Sequence, residues 1–266
     1  MALLPDKNRF WLVAAVIMFF YMVLLVLLNQ LWYAKQATAN FHFFDDWEEW
    51  NGLDKLGHFY TAFHVSDMSI KMMLWLKVSR KNAIVGGTLA GILFQTPIEI
   101  MDGFGTGYGF SWADMLANVV GSSFVLFQYL LWNEIKILPK FSFFPSGLAA
   151  LRPNLLGNTL LQQVLKDYNG QTYWFSFPLP FLPKWLRLAI GYGSHDMIFA
   201  RPAQNSTNGY EMYQQFYLSI DIDLEQIPTK NNFLKTIYYF ANKIRLPFPA
   251  LEWNEKQGLL THLLFF

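Results

Sequence analysis

Eight polar residues between positions 54 and 118 have the types and spacings from which a chemical site could be built. Asp54 and His58 stand four apart. Gln95, Glu99 and Asp102 follow at i, i+4, i+7, and Ser111, Asp114 and Asn118 at i, i+3, i+7. On helices, each set lies along one face, so three helices could bring three polar stripes to the same side. His58, Glu99, Asp102 and Asp114 form a donor set suited to a divalent metal ion, because neutral imidazole and carboxylates are common ligands. The same groups suit proton transfer, with burial raising a carboxyl pKa and an adjacent carboxylate fixing the histidine tautomer. A structural account is equally open. Ser111-x-x-Asp114 has the form of a capping box, Asn118 could bond across helices, and Asp54 could cap its own helix with His58 beside it. These residues name no substrate, and a divalent ion is the one cofactor they suggest.

The groups sit at the ends of otherwise apolar segments, where an ionisable side chain is costly to keep without a partner. Residues 10 to 28 are an unbroken apolar run behind Lys7 and Arg9, and ~18 such residues suffice for a transmembrane helix. Residues 1–34 are therefore expected to be a membrane anchor with a cytoplasmic start. Cleavage at Ala37-Thr38-Ala39 is the competing reading. It is disfavoured because the run exceeds the ~7–15 residues of a signal core and the A-x-A string lies well past its end.

An aromatic and acidic linker, Asn40 to Asn51 with Asp45, Asp46, Glu48 and Glu49, leads into a helical domain over 40–138. Its first helix, about Asp54 to Lys77, carries His64, Asp67 and Lys71 as a stripe, which suits a bundle interior or a headgroup surface better than lipid. His64 with Asp67 reads as a solvated or interhelical pair. The second, Ala83 to Met101, contains Gly86, Gly87, Ala90 and Gly91, small residues that let helices approach closely. Pro97 should kink it or free a carbonyl. The third, Ser111 to Leu131, is the cleaner span. Between them, Gly103-Phe-Gly-Thr-Gly-Tyr-Gly109 is a loop able to pass close to whatever occupies the polar site. Lys77, Arg80 and Lys81 mark the turn between the first two helices as cytoplasmic, which puts the polar cluster on the external side.

From about Lys166 the period changes. Tyr173, Phe175, Phe177 and Leu179 share one face, as do Leu186, Leu188, Ile190 and Tyr192. Phe216, Leu218, Ile220, Ile222 and Leu224 alternate with Tyr217, Ser219, Asp221 and Asp223. Strict alternation marks half-buried strands, and Asn169-Gly170 and Asn208-Gly209 supply turns. Residues 165–266 are thus expected to form a small antiparallel β-rich domain with a helix over Asn232 to Lys243. Its apolar face must meet helices, lipid or a partner. Four or five strands are legible, fewer than the ~8 of a closed membrane barrel. The fold class is an α+β membrane protein: a transmembrane helix, about three further helices, then the sheet. His195-Asp196 is a weak loop pair, and Asn205-Ser-Thr207 matches a glycosylation sequon.

Composition agrees. Hydrophobic residues make up 53% and charged residues 15%, against ~25% charged in soluble domains. The 26 Phe, 13 Tyr and 10 Trp suit membrane interfaces. A net charge of +1 leaves no footprint for nucleic acid, so the expected partners are membrane lipid and other envelope proteins. With no cysteine, disulfides, thiolate metal sites and a cysteine nucleophile are excluded. No P-loop, G-x-S-x-G or H-E-x-x-H string occurs.

Asp54-Lys55-Leu56-Gly57-His58, then Glu99 and Asp102-Gly103, then Gly109-Phe-Ser111-Trp-x-Asp114 and Asn118-x-x-Gly121 together resemble the YfiM-like domain of unknown function, a family of predicted periplasmic lipoproteins. The longer, Bacteroidota-type members also carry strings like Lys166-Asp-Tyr-Asn-Gly-Gln-Thr-Tyr-Trp174 and Ala189-Ile-Gly-Tyr-Gly193, so the resemblance runs from about Phe41 to the C-terminus. The series is more distantly similar to VanZ-like membrane proteins, though the Gln and Arg that usually follow the glutamate there are missing. Lacking a lipobox cysteine, the chain departs from the lipoprotein members, which favours the anchor. What the resemblance implies is a bacterial envelope protein, held in the inner membrane or, after cleavage, in the periplasm or outer membrane. Neither resemblance brings a reaction; the polar stripes and the apolar sheet face themselves suggest a noncatalytic biogenesis or assembly factor, or else a metal-dependent binder or hydrolase of a lipid-linked or cell-wall substrate.

Overall fold

A computed structural model describes residues 7–30 and 38–266, and they divide into two compact units. Ala37 of the A-x-A string and residues 31–34 of the expected anchor lie outside the described residues. The first unit takes the chain up to Trp47 and Thr61–Asn133; the second takes Glu48–Tyr60 and Glu134–Phe266.

The first unit is helical. Helix α1 (Lys7–Leu28) is apolar on every side, as a helix surrounded by hydrocarbon requires. Helices α2 (Leu53–Trp75, from Thr61 onward), α3 (Arg80–Asp102) and α4 (Trp112–Trp132) complete it. Among the described residues, α1, α3 and α4 are long and apolar enough to cross a membrane; α2, with its polar stripe, is not. The three helices α2, α3 and α4 meet at Gly91. A β-carbon there would fall 2.0 Å from Ser66 Oγ, 2.6 Å from the Ala62 carbonyl and 2.6 Å from Ser122 Oγ, so only glycine permits this approach. Gly87 is held the same way against Ile70. In the turn before Pro97, the Tyr21 hydroxyl donates to the Phe94 carbonyl at 2.6 Å. At one end of the unit the Arg9 guanidinium lies 3.9 Å over the Trp75 ring, and Arg80 bonds the Asn133 carbonyl. Cations from separate helices thus gather at one end, as the positive-inside rule asks.

At the other end the glycine loop behaves differently from the sequence expectation. Its glycines admit the chain's own residues 38–44. A β-carbon on Gly103 would strike the Phe41 ring at 2.3 Å, and one on Gly109 the Phe44 side chain at 2.4 Å. Backbone bonds join His42 N to Gly103 O, Phe44 N to Phe110 O and Phe110 N to His42 O. Phe41, Phe43, Phe104, Phe110 and Trp112 pack edge to face or stacked around this seam.

The second unit is a six-stranded antiparallel meander in sequential order: β1 (Leu138–Phe143), β2 (Gln171–Pro178), β3 (Leu186–His195), β4 (Tyr213–Ile222), β5 (Phe248–Asn254) and β6 (Gly258–Phe265). Short helices α5 (Pro153–Leu156), α6 (Leu160–Lys166) and α7 (Pro202–Thr207) fill the connections, and α8 (Asn232–Ala241) links β4 to β5. The sheet curls until its edges are tied together. Residues 243–245 pair with β1 through Phe141, Arg245 donates to the Phe265 carbonyl at 2.9 Å, and Phe144 meets Phe266.

The alternation in β4 is real but inverted relative to a soluble sheet. Leu218 is 45% exposed and Ile220 42%, while Ser219 and Asp221 between them are 6% and 0%. The polar face turns inward and forms a bonded interior. Lys140 Nζ lies 2.8 Å from Asp221, to which the Ser176 hydroxyl also donates at 2.6 Å. Arg187 donates to Ser176 and to Asp223. Arg245 bonds Ser219 and covers the Trp174 ring at 3.9 Å. Burial lowers the pKa of Lys140 and of Arg187, opposed by Asp221 and Asp223. The other core of this unit packs Trp50, Leu53, Leu156, Tyr173 and Met197 together.

Breaking a buried pair leaves an uncompensated charge, typically at ~3–5 kcal/mol. Lys140→Met should therefore cost about that much, measured as a fall in the urea midpoint of the full chain in detergent. A midpoint within error of the parent would mean that the charge cluster does not hold the sheet together.

Candidate functional site

In the helical unit the two candidate triplets on α3 and α4 face each other along one antiparallel seam. Gly91 lies against Ser122, and one turn on, Gln95 Nε2 donates to Asn118 Oδ1. At 3.6 residues per turn, the next turn brings Glu99 level with Asp114, and the next Asp102 with Ser111. Glu99, Asp114, Gln95 and Asn118 are all buried, and each takes part in an interaction within the fold. By that register two carboxylates fall at one level of a closely packed seam, where bare charge is costly.

Ser111 opens α4 as its N-cap. Its hydroxyl oxygen accepts from the Asp114 N–H at 3.0 Å, the forward half of the expected box. The same hydroxyl donates to Asp46 at 2.6 Å. Asp46, expected only as part of an aromatic and acidic linker, is buried. Its one signal is its position among the ring-forming residues Phe43, Phe44 and Trp47.

Asp54 and His58 belong to the second unit. The turn before them is left-handed at Trp50 (φ 52°), Asn51 (φ 51°) and Gly52 (φ 77°), a conformation that side chains other than glycine adopt only under constraint. Tertiary bonds impose it. The Trp50 N–H reaches the Ala200 carbonyl, the Trp50 ring stacks on Tyr168, Asn51 donates to Ser194, and the Asn51 carbonyl accepts from the Tyr192 hydroxyl.

This turn delivers Asp54 to three groups. The Tyr168 hydroxyl donates to it at 2.7 Å, Lys55 Nζ pairs with it at 3.0 Å, and His58 Nε2 stands 3.9 Å away. Burial alone would raise the Asp54 pKa; the charges of Lys55 and His58 and the bonds from Tyr168 and Lys55 outweigh it and hold the carboxyl below its ordinary range. Burial, followed by the Asp54 charge, pushes the Tyr173 hydroxyl far up, so it stays protonated and donates to Gln171 at 3.0 Å. A β-carbon at Gly57 would lie 2.9 Å from that hydroxyl. Tyr168 and Tyr173 were not singled out as site residues; the signal lay in the Lys166–Trp174 string already noted for its resemblance.

The remaining candidates resolve as follows. Asp67 is buried and interhelical, accepting from the Tyr129 hydroxyl at 3.1 Å and pairing with Lys71; His64 is buried beside Phe63. His195 ends β3 and pairs with Asp196, which also binds Lys256. Asn205 of the sequon is fully buried. Its amide is spent on the backbone of Ile198, Phe199 and Arg201, so the folded chain offers no acceptor there.

Residues 42–130 match a family described as predicted periplasmic lipoprotein (DUF2279). The match begins where the YfiM-like resemblance begins and ends inside α4, leaving the sheet outside it. No curated protein and no solved structure matches at a significant level. The matched stretch, together with an apolar helix of transmembrane length, is consistent with a membrane-anchored protein of the cell envelope.

A lowered folded-state pKa means that ionised Asp54 stabilises the fold above its unfolded pKa of ~3.9. That contribution is lost as pH falls through the lower folded value. Tyr168→Phe removes a bond to the carboxylate, so acid unfolding followed by tryptophan fluorescence should begin at a higher pH. Superimposable acid curves would show that Tyr168 does not hold Asp54 ionised.

Proposed function

We propose that this chain is a membrane-anchored envelope protein that serves biogenesis or assembly without catalysing a reaction. One observation carries the reading: Gln95, Ser111 and Asp54 spend their bonds inside the fold. Gln95 is committed to Asn118, Ser111 to Asp46 and the α4 N-terminus, and Asp54 to Tyr168 and Lys55. A catalytic group needs spare capacity aimed at a substrate; these groups fasten helices and turns. An inner-membrane setting with a cytoplasmic start is part of the proposal, supported by Arg9 and Arg80 gathering at one end of the helical unit.

The alternative is a divalent-cation site at Glu99 and Asp114, serving a lipid-linked or cell-wall substrate. What favours it is that helical register sets two buried carboxylates at one level of the α3–α4 seam, since a cation or a shared proton relieves repulsion between such groups.

Elemental analysis of the purified full chain, alongside Glu99→Gln and Asp114→Asn, separates the two. The assembly reading expects no stoichiometric metal and variants that differ from the parent in stability alone, by ~1–3 kcal/mol. A stoichiometric ion that is lost from well-folded variants would overturn it in favour of the cation site.

A further inference from the structure

The second unit carries its polarity inside out, and what covers its outside can be argued from the surface itself. The outer face of β3 to β5 is built in rows across the strands. Phe216 and Trp253 form one row, Ile190, Leu218 and Leu251 the next, then Leu188 with Ile220, and Leu186 with Ile222. Aliphatic residues fill the middle; aromatic residues close one end, and Phe181 and Trp185 stand beyond the other. Aromatic ends around an aliphatic band are the arrangement of a lipid-facing sheet, whereas a protein interface concentrates aromatics at its centre. From the Phe216 row to the Ile222 row is six residues, about 20 Å of strand. That is short of the ~25 Å band of a barrel that spans, and suits one leaflet.

Helix α8 adds a second apolar surface and a charge signal. Phe233, Ile237 and Phe240 recur at i, i+4, i+7, all three exposed, and no residue of α8 is buried. Asn242 fastens the end of α8 to the end of β4, donating to Asp223 and accepting from Leu224 N–H. Between Glu225 and Glu252 the charged residues are Lys230, Lys235, Lys243 and Arg245, with no acid among them. Lys230 and Lys235 are exposed. Cations flanking an apolar stripe are complementary to anionic headgroups, as in helices that lie in the plane of an interface.

We propose that the outer face of β3–β5 and the apolar stripe of α8 lie in the headgroup–acyl boundary of a leaflet containing anionic phospholipid. This deepens the membrane-anchored reading and rests on it. The anchor alone would hold the chain at a membrane; the proposal gives the sheet its own contact with lipid, independent of the anchor's contact with hydrocarbon.

The test uses the full chain, which has no cysteine of its own, in phosphatidylcholine vesicles with and without phosphatidylglycerol. Spin labels are attached to single variants Leu218→Cys, Leu251→Cys and Phe240→Cys, with Gln204→Cys as an aqueous control and Val16→Cys reporting the anchor. Collision rates with oxygen, which partitions into lipid, and with a water-soluble nickel chelate are then compared. The expected oxygen-to-nickel ratio at 218, 251 and 240 is several-fold above that at 204 in phosphatidylglycerol vesicles. In the same vesicles, Lys230→Glu with Lys235→Glu should lower the ratio at 240. Ratios equal to that at 204, while 16 reports lipid, would overturn this proposal and leave the anchored reading standing. A water-like ratio at 16 would overturn the anchored reading itself. Labels shielded from both reagents would show a second copy of the chain on this face, and equal ratios without phosphatidylglycerol would remove the anionic requirement; either result defeats the proposal as stated.

Discussion

The close approach of three helices at Gly91 constrains much of the helical unit. With no side chain there, α3 sits against Ser66 and Ala62 of α2 and Ser122 of α4, and the register between α3 and α4 is set. Everything polar in the seam follows from that register. Gln95 finds Asn118, Glu99 comes level with Asp114, and Asp102 with Ser111. A slip of one turn would leave a buried amide facing a carboxylate and would separate the amide pair, and unsatisfied groups in a low dielectric are expensive. The polar stripes therefore lock the helices as effectively as they could serve chemistry.

The second unit meets the same constraint from the opposite side. Its interior is polar, so each buried charge must be matched, and Lys140, Arg187 and Arg245 are each held by carboxylates, hydroxyls or a ring. Replacing such a cluster with apolar residues can be neutral or stabilising, so its presence calls for a reason other than stability. An apolar exterior supplies one: a sheet whose outside meets lipid keeps its polar residues within.

Much of this was legible in the sequence. The N-terminal apolar helix, the three further helices and the change to strand periodicity follow from hydropathy and spacing, because those signals are local. Strands β3 and β4 and helix α8 lie close to where alternation and capping place them. Strand β1 escaped notice because Pro139 and Lys140 interrupt its pattern, and Lys140 is accommodated only by Asp221, far along the chain. The direction of the sheet's apolar face was not legible at all. Alternation fixes that two faces differ, and tertiary structure decides which turns inward. In the candidate site, spacing on single helices grouped Gln95 with Glu99 and Ser111 with Asp114. Asp46 and Tyr168 were hidden because their partners lie 65 and 114 residues away. In the glycine loop the signal was a close approach, and the groups that approach Gly103 and Gly109 are Phe41 and Phe44, from a segment that spacing alone does not place there.

The α3–α4 register is most directly tested by disulfide trapping in this cysteine-free chain, since the bond forms only when Cα atoms come within ~7 Å. Gln95→Cys with Asn118→Cys should oxidise rapidly to an intramolecular disulfide in the membrane-reconstituted protein, as should Glu99→Cys with Asp114→Cys. Gln95→Cys with Asp114→Cys, one turn out of step, should stay reduced. Efficient bonding of the displaced pair, or none in the aligned ones, would contradict the seam and with it the account of every polar residue placed there.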